Sequence, residues 1–96
     1  MASVGEILRQ IRESRNIPQG MMAKTLKVSQ NFLSQVENNK KTVSFAKLEE
    51  MAVNLGISKE LILIAASDIP SELSDHEKEM FIEMQSSIQK YISLNS

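Results

Sequence analysis

Ser74, Asp75 and His76 bring together the residue types of an acyl-transfer triad. Neighbours on one helical turn fan outward, however, and cannot converge on a substrate, so the three read as the start of a helix. His76 is the single histidine and cysteine is absent, which leaves a catalytic metal without a donor set and rules out zinc fingers and disulfides. No enzyme activity and no cofactor are expected. The cluster with a chemical use is basic: Arg15, Lys24, Lys27, Lys40, Lys41 and Lys47 stand against Glu37 alone, a net +5 that can meet phosphates.

The overall formal charge of −1 conceals this division. Residues 1–60 hold nine Lys or Arg against six Glu, a net +3, whereas 61–96 hold two against six acids, a net −4. The two halves must present different surfaces. A chain of 96 residues with 42% apolar and 24% charged content suits one core that folds unaided. No apolar run approaches bilayer length and no basic-then-apolar leader opens the chain, so no membrane contact and a cytoplasmic location are expected.

The elements that must position the basic stretch are all helical, because nothing alternates with a period of two and no long repeat is visible. Val4, Ile7, Leu8 and Ile11 predict a first helix over about Val4 to Ser14, stopped by Asn16. Pro18 suits the first turn of a second, short helix buried through Met22 and Leu26. Ser29 is an N-cap for a third helix with Leu33 and Val36 inward, closed by Asn38 and Asn39. Ser44 caps a fourth helix with a Leu48, Met51, Ala52 and Leu55 stripe, and Gly56 supplies its left-handed stop. Ser58 opens a fifth that runs on through Leu61, Ile62, Leu63, Ile64, Ala65 and Ala66, is apolar all round and needs a second partner. After Ile69 and Pro70 a sixth is expected from about Ser71, with a capping box of Ser74 and Glu77.

Two short helices joined by a turn can place the second in a DNA major groove if a very small residue lies where they meet, and Ala23 occupies that position. Pro18-Gln19, Ala23, Val28-Ser29-Gln30, Val36-Glu37-Asn38 and Leu55-Gly56-Ile57 together resemble the Cro and repressor type of helix-turn-helix domain, also called XRE-like. The likeness runs from Val4 to about Ala66, with the motif itself at 19–38. It implies an all-α, five-helix lambda-repressor-like domain over residues 1–66, followed by a linker and C-terminal amphipathic helix over 67–96.

The resemblance further implies a sequence-specific transcription regulator acting on double-stranded DNA. It assigns base reading to Gln30 and Asn31, with Phe32, Ser34 and Gln35 as further candidates. Asn and Gln amides offer adenine a donor and an acceptor together, and Phe32 could touch a thymine methyl. Phosphate contact falls to Gln19, Asn38, Lys40 and Lys41, with Lys27 and the helix start at Ser29 alongside. Arg12 and Glu37 match a largely buried structural salt bridge. Two departures stand out: Lys27 and Asn39 occupy places where glycine is usual. In a left-handed conformation Lys27 would lose roughly 1–2 kcal/mol.

Met80, Phe81, Met84, Ile88, Tyr91 and Ile92 recur at helical spacing in the tail and have two readings, packing on the fifth helix or contact between two copies. The second gives a homodimer on an inverted-repeat operator, and a repressor that works by occlusion. An alternative is an antitoxin or other regulatory module whose acidic tail holds a protein partner.

Overall fold

A computed structural model describes residues 3–94 and places six helices in chain order: α1 Val4–Ser14, α2 Gln19–Leu26, α3 Gln30–Glu37, α4 Phe45–Leu55, α5 Lys59–Ala66 and α6 Asp75–Leu94. Short polar residues fix most of the starts. The hydroxyls of Ser3, Ser29 and Ser44 accept the backbone N–H three residues on, at 3.0–3.1 Å, which satisfies a donor that the helix leaves open. Ser58 differs: it precedes α5, but its hydroxyl donates to Glu60 at 2.8 Å instead of capping the backbone. Pro18 also lies one residue earlier than the sequence suggests, as the N-cap of α2, with Gln19 the first helical residue.

Left-handed residues stand at the ends of the first four helices. Asn16 (φ 55°) follows α1, Lys27 (φ 59°) ends α2, Asn39 (φ 60°) follows α3 and Gly56 (φ 70°) ends α4. α6 begins at Asp75 rather than near Ser71, because the capping box sets its start: the Ser74 N–H donates to Glu77 at 2.9 Å and the Glu77 N–H donates back to the Ser74 hydroxyl at 3.2 Å. The first of these bonds holds the Glu77 carboxyl below the ordinary carboxylate pKa, helped by the Ser74 hydroxyl.

One core collects Ile7, Leu8 and Ile11 from α1, Met22 and Leu26 from α2, Leu33 and Val36 from α3, Leu48 and Met51 from α4, and Ile62 from α5. α1 runs through its middle, touching α3, α5 and α6. Its approach to α3 depends on Gly5, where a Cβ would stand 1.9 Å from the Val36 carbonyl oxygen. No other residue fits there without moving backbone.

α6 is the second partner that the apolar α5 requires. Gln85 donates its amide to the carbonyls of Ile64 (3.0 Å) and Ser67 (2.7 Å), and Gln89 donates to Ala65 (3.3 Å), so two glutamines of α6 bind the carbonyls at and just past the end of α5. At its other end α6 is tied to α1, with Arg15 donating to the Ile92 carbonyl (3.1 Å) and the Ser14 hydroxyl to that of Ser93 (3.2 Å). Ile92, 1% exposed, joins the central core and Ile88 packs against it. Ile92 is therefore a core residue, its side chain enclosed by α1, α5 and the rest of the core cluster rather than open on the outer side of α6. Phe81 is half-buried, while Met80, Met84 and Tyr91 remain exposed.

Candidate nucleic-acid interface

The geometry of the motif starts from a buried charge. The Glu37 side chain, at the end of α3, is 2% exposed and takes two parallel hydrogen bonds from Arg12 of α1, Nε to Oε2 at 2.9 Å and Nη2 to Oε1 at 3.0 Å. This is the bidentate fork that guanidinium and carboxylate form best. The bond to Glu37 raises the Arg12 pKa further above its already high value, against an opposing effect of burial. Arg12 also donates to the Ile17 carbonyl at 3.2 Å, which fixes the turn leading into α2.

The same carboxylate reaches the surface through two amides. Gln19, first residue of α2, donates to Glu37 Oε1 at 3.1 Å, and its own Oε1 accepts from Gln30 Nε2 at 3.4 Å. Gly20 makes room for this, since a Cβ there would lie 3.2 Å from Gln30 Oε1. A chain of hydrogen bonds thus runs from Arg12 through Glu37 and Gln19 to Gln30, orienting the first side chain of α3. Ala23 is buried beside it, as the helix pair requires.

Asn31, next on α3, is exposed, and among the described residues no hydrogen bond within the chain occupies its amide. Phe32 is half-buried on the rim of the core and its ring carries the Lys41 ammonium 5.7 Å from the centroid. Ser34 and Gln35 are half-buried. The Ser34 carbonyl accepts from the Asn38 amide at 2.9 Å, and the Gln35 carbonyl accepts the N–H groups of Lys40 (2.8 Å) and Lys41 (3.2 Å). The backbone just past α3 is thereby folded against its end. Asn39 ties this turn to α1: its amide donates to Glu6 at 3.0 Å and its Oδ1 accepts from the Ser3 hydroxyl at 2.6 Å.

Of the basic stretch, Lys24, Lys27, Lys40 and Lys41 are exposed. Arg15 does not join them, because its guanidinium is directed to the Ile92 carbonyl, and Lys47 lies 3.5 Å from Glu50. Among the described residues no group of three His, Cys, Asp or Glu could hold a metal ion. The surface offers amides, hydroxyls and cations around two short helix starts, which suits an anionic polymer with patterned hydrogen-bonding edges.

A model of the helix-turn-helix family matches residues 8–62, more than half of the chain, including α2, α3 and the chain of hydrogen bonds from Arg12 to Gln30. The chain belongs to the Cro and repressor type of helix-turn-helix family. No curated protein matches it, and no solved structure does. As a helix-turn-helix protein it is a DNA-binding transcription regulator. Among the described residues no helix is long and apolar enough to cross a membrane.

Two features of this helix-turn-helix protein escape sequence reasoning. Gly5 sits inside a helical pattern with no turn nearby, and an isolated helical glycine is at most a hint of close packing. The tie between Gln19 and Gln30 links side chains from different helices, which no spacing rule connects.

Proposed function

We propose that this protein is a repressor that binds an inverted-repeat operator as a homodimer in the cytoplasm, occluding transcription without chemistry or cofactor. Residues 1–66 supply the DNA-binding part and residues 67–96 the self-association element. A twofold dimer presents two copies of α3 to half-sites about one helical turn, near 34 Å, apart. Gln30 and Asn31 read base edges, with Phe32, Ser34 and Gln35 as secondary contacts. Gln19, Lys27, Ser29, Asn38, Lys40 and Lys41 hold phosphates.

The observation that carries this reading is the hydrogen-bonded chain from Arg12 to Gln30. A surface glutamine is ordinarily free to rotate. Here it is oriented in advance by a buried carboxylate, which lowers the entropy lost on docking. Beside it Asn31 keeps its amide open for a base.

The test is a titration of the full chain against DNA selected in vitro for binding. Gln30→Ala with Asn31→Ala is expected to lower specific affinity by about tenfold or more, since a bidentate base contact discriminates by roughly 1–3 kcal/mol. Thermal unfolding should be unchanged, and residual binding should fall steeply with added salt. An operator preference identical to that of the unaltered chain would reject the assignment.

A further inference from the structure

α6 carries two apolar faces, and its own domain covers only one. Gln85, Ile88 and Ile92 turn toward α5 and α1. A second row, Met80, Met84, Ser87, Tyr91 and Leu94, recurs at alternating intervals of four and three residues. It lies open: Met80 is 56% exposed, Met84 41%, Tyr91 57% and Leu94 75%. This spacing is the seam of a two-helix coiled coil, in which each side chain of the row enters a gap on the facing helix.

The flanks of the row indicate what covers it. On one side run Phe81 and Ile88, which the domain partly buries. On the other run Glu83 and Lys90, both exposed and seven residues apart. In a parallel pair each of these would face the apolar flank of the other helix. In an antiparallel pair with its twofold axis between Met84 and Ser87, Glu83 of each copy meets Lys90 of the other. The same register sets Met84 against Ser87, a long side chain opposite a short one, and Met80 against Tyr91, a sulfur beside a ring. Charge, size and symmetry thus agree on one arrangement.

We infer that α6 pairs with α6 of a second copy, antiparallel, through the Met80–Leu94 face with reciprocal Glu83 to Lys90 contacts. This rests on the homodimer reading above and specifies its surface. The arrangement is isologous, as a closed dimer requires. Because α6 packs chiefly on α1 and α5, pairing leaves α2 and α3 uncovered.

The chain has no cysteine, so introduced ones report without background. Met80→Cys and Tyr91→Cys variants, distinguished by mass and mixed without DNA under mild oxidation, are expected to cross-link to each other and not to themselves. By sedimentation, Glu83→Lys and Lys90→Glu should each raise the dimer dissociation constant several-fold, and the two together in one chain should restore it. Both residues are exposed, so the fold is not at stake. Self-cross-linking of Met80→Cys, or failure of the double variant to restore the dimer, would overturn the seam while leaving a dimer standing. A monomeric unaltered chain would overturn both. Operator titration tests DNA reading separately.

Discussion

α3 and α6 each turn one side inward and another to solvent, but their outer sides are prepared differently. α3 presents one amide held in place from below, that of Gln30, tied through Gln19 to the buried Glu37 and Arg12. α6 presents unpaired methionines and a tyrosine, while its inner side carries the polar ties, Gln85 and Gln89 on the end of α5. Under the proposed function, order at the surface is supplied where direction matters, as for hydrogen bonds to a base. It is left out where apolar contact alone suffices, since burial of apolar area has no preferred direction. The two regions share one anchor, α1, which touches both α3 and α6.

That shared anchor is where the contrast is broken most severely. Arg12→Ala strands the Glu37 carboxylate at 2% exposure. Loss of one partner from such a pair costs about 3–5 kcal/mol. The urea midpoint should fall accordingly, with loss of DNA binding at the temperature where the variant unfolds. Arg9, whose contact to Glu13 at 3.4 Å is half-exposed, serves as the control, since Arg9→Ala should shift stability by less than about 1 kcal/mol.

The next largest effect separates α3 from α6. Gly5→Ala drives a methyl into the Val36 carbonyl, 1.9 Å away, so α1 must lift from the end of α3. Overpacking of this kind costs typically about 1–3 kcal/mol. Because α6 attaches near Arg15 and Ser14 at the far end of α1, dimer affinity should hold while operator affinity drops. Paired sedimentation and titration of a partly destabilised sample check this. Equal loss of both would mean that α1 transmits the strain along its length.

The divide between what the sequence discloses and what it hides runs along the same line. Ser29, Ser44, Gly56 and the Ser74 and Glu77 box were legible because a cap acts within three or four residues. The Arg12 and Glu37 pair followed from resemblance, and the structure brings them together across 25 positions. What stayed hidden depends on distant packing. Arg15 reads as one more cation of the basic stretch, yet it holds a carbonyl 77 residues away. The apolar residues of α6 mark two faces at once, and periodicity alone cannot tell that Ile92 belongs to the core while Tyr91 stays outside.

Lys27 yields the smallest effect, and its two consequences have opposite signs. It adopts the left-handed conformation at the end of α2, φ 59° and ψ 44°, where a Cβ crowds the following carbonyl and glycine is at ease. Lys27→Gly relieves that strain but loosens the unfolded chain, so the net gain in stability should be about 1 kcal/mol or less. On the DNA side the same change removes one exposed cation. If Lys27 holds a phosphate, affinity falls uniformly across sequences and the salt slope drops by about 1. The dimer should be indifferent, because this turn lies between α2 and α3 and away from α6. A more stable variant with weaker, less salt-sensitive binding would show that a favourable turn residue was displaced for contact with the nucleic acid backbone. A more stable variant that binds as well as before would reduce Lys27 to an ordinary surface residue in a strained place.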